Sequence, residues 1–390
     1  MSASAPLDLL DLDSLLNDEE LAIRDVVRRV VDAQVRPYVG HWFEDARAPV
    51  RELAKQFGAL GLLGMHLHGY GCAGASAVAY GLACMELEAG DSGVRSLVSV
   101  QGSLAMYAIA TFGSEEQKQR WLPPMARGDA IGCFGLTEPD HGSDPASMRS
   151  RAERQPNGDW LLRGTKTWIT NAPVSEVAVV WARADDAIQG FVVPTDTDGV
   201  RINEITHKLS LRASSTGEIV LDDVRLPADA ALPEAVGLRA PLSCLTEARH
   251  GIAWGALGAA RDCLETAIAY AINREQFGRP IASFQLTQAK LADMAVELQK
   301  GYLLALHLGR LADAGRLRPE QVSVAKLNNV REALAIARQC RTILGANGIS
   351  SEYPVMRHAE NLESVLTYEG TSEIHTLILG EALTGERALA

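Results

Sequence analysis

Val177-Ala-Val-Val-Trp-Ala-Arg183 and Gly190-Phe-Val-Val-Pro194 decide the fold. Both runs are short and rich in β-branched and aromatic residues, and the gap between them is too small for a helix. Thr167–Thr170, Val200–Ile205 and Glu218–Leu226 repeat the pattern on either side. Turn formers separate them: Pro156-Asn-Gly158, Asp196-Thr-Asp-Gly199 and Ser215-Thr-Gly217. Closely spaced strands without crossover helices predict an antiparallel sandwich or barrel, not a parallel sheet.

Outside this middle the hydrophobic period changes to that of a helix. From Glu19 to about Arg127, apolar residues recur at three- and four-residue steps; Leu21, Ile23, Val26, Val27, Val30 and Val31 are predicted to share one face. Ser114-Glu-Glu-Gln117 reads as a capping box. Beyond about Leu238, Arg249–Arg274, Phe284–Ala314 and Pro319–Leu344 are long helical runs, followed by a terminal helix over Glu373–Leu383. Their lengths suit a four-helix bundle. The predicted architecture is mostly α with a β middle: an N-terminal helical domain over 1–128, an antiparallel β-barrel over 129–235 and a C-terminal four-helix bundle over 236–390. Leu226-Pro-Ala-Asp-Ala-Ala-Leu-Pro233 reads as the hinge between the last two.

Composition narrows the function. The chain has 390 residues, 47% apolar and 22% charged, with 37 Lys and Arg against 49 Asp and Glu, a net charge of −12. So acidic a chain is a poor binder of nucleic acid or of an anionic membrane, and an anionic ligand has to be met by a local basic pocket. Aromatics at 5% argue against a base-stacking platform. The six cysteines form no CxxC pair, and His66-x-His68 alone is a weak metal signal, so no metal is expected. The acidic start, MSASAPLDLLDLDSLLNDEE, resembles neither a secretory signal nor a transit peptide, and no apolar window spans a membrane. A cytoplasmic enzyme is the expectation.

Several motifs have bland readings. Gly69-Tyr-Gly71-Cys-Ala-Gly74 matches GxGxxG formally, but a nicotinamide site needs a βαβ unit around it; a glycine-rich loop between helices reads better. Ser323-Val-Ala-Lys326 matches SxxK inside a long helix, without partner motifs, and reads as chance. Cys133-Phe-Gly-Leu-Thr-Glu-Pro139 with Gly142-Ser-Asp144 offers backbone donors to a polar ring or phosphate, or is simply a tight turn. In Lys166-Thr-Trp-Ile-Thr170, strict alternation would make Trp168 a core residue. Asn273-Arg-Glu-Gln-Phe-Gly278 and Gly345-Ala-Asn-Gly348 end helices and could be ordinary C-caps. Thr367-Tyr-Glu-Gly-Thr371 sets a carboxylate beside a glycine in a short loop; one such residue alone is usually just solvated.

Together, and in this order, the segments resemble the acyl-CoA dehydrogenase family over nearly the whole chain. The resemblance implies one FAD per subunit, a homotetramer, an acyl-CoA substrate and an electron-transferring flavoprotein as acceptor. It implies Glu369 as the base that takes the α-proton while flavin N5 accepts a hydride. Phe134, Leu136, Thr137, Trp168, Ile169 and Thr170 would contact the flavin, with Ser143 between flavin and acyl-CoA. Arg274, Phe277 and Gln285 would hold the FAD of a neighbouring subunit, and Thr342, Gly345, Ala346, Thr371 and Glu373 would complete that site. Arg249 and Tyr368 would touch the thioester region. The stretch from Gly69 through Arg95-Ser96 is most similar to the glutaryl-CoA-oxidising branch, in which Arg95 and Ser96 would meet a distal carboxylate and Glu88 would shape the polar end of the pocket. That implies oxidation and decarboxylation of glutaryl-CoA to crotonyl-CoA; another short-chain or dicarboxylyl-CoA without decarboxylation, or a silent FAD- or acyl-CoA-binding scaffold, are the alternatives. Val94 departs from the family pattern where an aromatic is common, as do Asp140-His141, and Thr342 where Gln or Asp is common.

Overall fold

A computed structural model describes residues 5–388. The outermost residues of the first and last predicted domains, 1–4 and 389–390, lie outside the described residues. Seven α-helices come first: α1 (Asp18–Gln34), α2 (Val39–Glu44), α3 (Val50–Ala59), α4 (Ala77–Gly90), α5 (Ser92–Ser99), α6 (Tyr107–Phe112) and α7 (Glu115–Ala126). Residues Val100–Met106 join α5 to α6 in a π-helical run. The capping box at Ser114 is formed, with Ser114 Oγ accepting from Gln117 N and Gln117 Oε1 accepting from Ser114 N. On α1 the apolar stripe is narrower than predicted. Val27 and Val31 are buried, whereas Val26 faces outward, because α1 is covered along one side only.

The middle holds β1 (Gly132–Gly135), β2 (Arg151–Arg154), β3 (Trp160–Thr170), β4 (Val177–Ala184), β5 (Ala187–Pro194), β6 (Val200–Glu204), β7 (Thr216–Leu226) and β8 (Ala231–Val236). The hydrogen-bonded order is β6-β7-β3-β2-β4-β5-β8, with β1 also on β4. Most pairings are antiparallel as expected, but β1 and β2 both run parallel to β4. Part of the predicted hinge is strand: β8 pairs with β5 within Leu226–Val236, so the sheet continues to Val236 before the chain turns helical.

The last part comprises α8 (Arg239–Asn273), a tight hairpin of β9 (Glu275–Gln276) and β10 (Arg279–Pro280), then α9 (Gln285–Asp313), α10 (Pro319–Ile343), α11 (Pro354–Thr367) and α12 (Ser372–Thr384). One apolar core joins α1 and α4 to α8, α9, α10 and α11. Charge clamps reinforce it. Glu86 on α4 accepts from both Arg28 on α1 and Arg261 on α8, and Glu20 on α1 accepts from Arg310 on α9. Helices α4 and α8 meet closely because glycines line α8; a Cβ at Gly255 would lie 2.1 Å from Glu88 Oε2.

Candidate active site

The loop between α11 and α12 carries Tyr368, Glu369 and Gly370. Thr371 closes it as the N-cap of α12, its Oγ1 accepting from Ile374 N at 3.3 Å. Glu369 and Gly370 both lie in the left-handed region, at φ +52° and +99°. Glycine is required at the second position: a Cβ there would sit 2.9 Å from His375 Nε2. Two buried cations hold the turn. Arg249 Nε from α8 donates to the Glu369 carbonyl at 2.7 Å, and Lys326 Nζ from α10 donates to the carbonyls of Tyr368, at 2.7 Å, and Gly370.

Glu369 Oε2 is buried and has no hydrogen-bond partner. Burial pushes its pKa above the usual carboxylate range, against the opposing pull of Arg95, Lys326 and Arg249. Burial sets the direction even though three positive charges attend the group. Burial in turn lowers Lys326 to about 7, with Glu369 opposing.

Facing this loop is Arg95 on α5, fully buried. Its Nε donates to Glu88 Oε2 at 2.6 Å and its Nη2 to the Tyr368 hydroxyl, and its guanidinium lies over the Tyr368 ring. Ser92 Oγ donates to Glu88 Oε1 at 2.9 Å. Arg95 is therefore half of a charge-balanced pair, the arrangement a buried ion requires. Ser96 is spent on the α5 backbone, donating to Ser92 O at 2.8 Å, while Ser99 one turn on has an orphaned buried hydroxyl.

The segments expected to face a flavin converge on one corner of the sheet. Thr167 N donates to Thr137 O at 2.9 Å, joining the exit of β1 to β3. Lys166, fully buried, donates to Glu138 Oε1 at 2.8 Å and to Leu136 O, and Glu138 accepts from the backbone N–H groups of Arg149 and Ser150. That clamp ties the loop carrying Ser143, which is exposed, to β3. Trp168 is not a core residue. The register of β3 on β7 slips between Lys166 and Ile169, Trp168 takes φ +60°, and its side chain is 62% exposed. An exposed tryptophan beside half-buried Thr137 and Thr170 fits a planar aromatic ligand. By contrast, the side chains of Phe134, Leu136 and Ile169 are buried in the core, Phe134 against Trp181, which leaves only their backbone to face a ligand.

The other predicted cofactor residues lie apart from this corner. Arg274, Phe277 and Gln285 group at the β9–β10 hairpin, where Phe277 is 94% exposed at φ +53°. Thr342, Gly345 and Ala346 are exposed at the end of α10, and Glu373 is exposed in the first turn of α12. Thr342 borders a cavity of about 400 Å³ with Arg338 and Glu360. Residues 69–74 form a loop with three left-handed glycines; a turn rather than a strand leads into it, so no βαβ unit surrounds it. Lys166, Glu138 and Lys326 escaped the sequence reading. For Lys326 the available signal was Ser323-x-x-Lys326, which marks a buried pair under the Glu369 loop: Lys326 holds its carbonyls and Ser323 Oγ pairs with His375 Nδ1 at 3.0 Å.

Three family models in succession match most of the chain: the acyl-CoA dehydrogenase N-terminal domain over residues 17–129, the middle domain over 133–224 and the C-terminal domain over 235–384. The human mitochondrial short-chain specific acyl-CoA dehydrogenase is 40% identical over 332 residues, covering 83% of this chain and 80% of that protein. A crystal structure of glutaryl-CoA dehydrogenase from Mycobacterium smegmatis superposes with a TM-score of 0.98 at 68% identity over the whole of both chains. A second, of a glutaryl-CoA dehydrogenase from the same organism in complex with FADH2, gives 0.98 at 65% identity, again over both whole chains.

Proposed function

The chain belongs to the acyl-CoA dehydrogenase family, and on that premise we propose that it is an FAD-dependent enzyme that oxidises glutaryl-CoA at its α,β-bond and releases CO₂ to give crotonyl-CoA. The observation that carries this reading is the Glu369 carboxyl group, whose buried Oε2 has no hydrogen-bond partner, facing a Glu88–Arg95 pair. FAD, when bound, supplies the acceptor for the β-hydrogen and its electron pair. Trp168, Thr137 and Thr170 would hold the flavin ring, and Ser143 would lie between it and the thioester.

Everything else falls to the protein. Glu369 takes the α-proton; a carboxylate is a weak base for C–H, so the raised pKa that burial imposes brings it nearer the working pH. The Glu369 N–H has no acceptor among the described residues and is free to bond the thioester oxygen, stabilising negative charge as the proton leaves. The turn fixed by Arg249 and Lys326 makes base and N–H donor a single rigid unit. At the far end Arg95 receives the substrate carboxylate, already balanced by Glu88. A carboxylate on the γ-carbon of the enoyl thioester is placed to leave as CO₂, its electron pair delocalised toward the thioester, and the γ-carbon then takes back a proton, the one Glu369 removed, to give crotonyl-CoA.

Arg274, Phe277 and Gln285 belong, on this reading, to the cofactor site of a second copy in a homotetramer; the 94% exposure of Phe277 on a hairpin tip supports that. An electron-transferring flavoprotein is the proposed acceptor. The test is anaerobic bleaching of the bound flavin by a panel of monocarboxylyl- and dicarboxylyl-CoA esters, with product masses read. Glutaryl-CoA is expected to bleach fastest and yield crotonyl-CoA. Bleaching by butyryl-CoA alone would refute the substrate, and a product that keeps its carboxylate would refute decarboxylation.

A further inference from the structure

Lys326 is buried about two turns into α10, 43 residues before Glu369, and its polar contacts fall on the loop carrying that residue. Its Nζ donates to the carbonyls on either side of Glu369, those of Tyr368 and Gly370, while Arg249 takes the carbonyl between them. Three consecutive carbonyls are thereby turned inward onto two cations. A turn with two successive left-handed residues, one of them not glycine, is sparsely populated by a free chain and persists only where its surroundings impose it. One turn before Lys326 on α10, Ser323 pairs with His375 of α12, and His375 packs against Gly370.

We infer that Lys326 is the positioning residue of the Glu369 base: its two N–H donors fix the turn that presents the carboxyl group, and its positive charge favours the ionised form of that group. The inference rests on Glu369 being the proton acceptor. The two roles are separable. A neutral amine still donates two hydrogen bonds, so the turn survives loss of the charge; the charge acts only while the amine is protonated. With burial holding Lys326 at about 7, both forms occur near neutrality. The other groups acting on Glu369 are Arg95 from α5, Arg249 from α8 and the Tyr368 phenol; His375 from α12, held at about 3 by burial, stays neutral.

The test compares Lys326→Met and Lys326→Gln with wild type and Glu369→Gln, all as FAD-loaded protein. Flavin reduction by glutaryl-CoA is followed anaerobically from roughly pH 5 to 9. Lys326→Met is expected to keep its flavin but reduce it about 10²-fold more slowly. The acidic limb of its rate profile should move to higher pH, because a charge that favours the carboxylate is gone. Lys326→Gln, with two N–H donors and no charge, should recover part of the rate and keep the displaced limb. If Lys326→Met does not fold, the limb of Lys326→Gln decides alone. A slow variant whose limb has not moved would mark Lys326 as merely structural and overturn the inference, as would wild-type rates in both lysine variants. Retained turnover in Glu369→Gln would remove the base itself; a dead Glu369→Gln beside unaffected lysine variants would sink only the role of Lys326.

Discussion

On the proposed function, a single carboxyl group and a single guanidinium carry the chemistry and the selectivity. Glu369→Gln should keep the flavin and lower its reduction by about 10³-fold or more, since the amide cannot accept the proton; the flavin-to-protein ratio and anaerobic reduction rate check both halves. Arg95→Met should cost glutaryl-CoA far more than butyryl-CoA. Sites built on polar pairing discriminate by up to about 10⁴-fold, whereas one methylene is worth at most about 200-fold. Equal loss of kcat/KM on both esters would argue against a carboxylate anchor. The same substitution strands Glu88, fully buried and now without its 2.6 Å partner, so a lower melting temperature should accompany the change in selectivity.

At the scale of elements, the site depends on two close fits. Gly255 lets α8 approach α4 closely and, having no side chain, still leaves room for the Glu88–Arg95 pair. Gly255→Ala places a methyl group 2.1 Å from Glu88 Oε2 and should lower both stability and glutaryl-CoA selectivity, read by thermal melting and by the ratio of kcat/KM on the two esters. Lys166 joins β3 to the loop after β1. Lys166→Met leaves Glu138 partly unpaired and should loosen FAD, read as a lower flavin content after gel filtration. The helices and most strands were legible because their signals are local: the capping box at Ser114, the β-branched runs at Val177 and Gly190, the glycine after Glu369. What was not legible came from contacts distant in sequence. The exposure of Trp168 follows from a register slip against β7, which alternation within β3 cannot reveal. Lys326 looks like any helical lysine until α11 and α12 bring the Glu369 loop onto it. Arg95 and Glu88 are seven residues apart, across a break between helices that makes their pairing a matter of tertiary geometry.

Across the whole molecule, α1, α4 and α8 are held together by buried charges. Glu86 between Arg28 and Arg261 is lowered to about 2, and Asp262 beside His358 and Arg36 likewise, despite burial that acts the other way. Their folded values lie below the unfolded ones. The stability they contribute is therefore fully present above about pH 4.5 and is lost as pH falls toward 2. Glu86→Gln should cost about 3 kcal/mol near neutrality and flatten the acid limb of a melting-temperature profile; an unchanged limb would show that these clamps do not govern acid unfolding. No helix among the described residues is long and apolar enough to cross a membrane.

The order of the chain bears on its synthesis. Arg95, Arg249 and Lys326 all precede Glu369, so on a ribosome the three cations emerge before the anion they surround. Before that loop is made, Glu88 is the one carboxylate already paired with this set of cations. On the proposed function the last loop is a plug as well as a tool: a message cut short before its codon should keep the three cations and lose the proton acceptor.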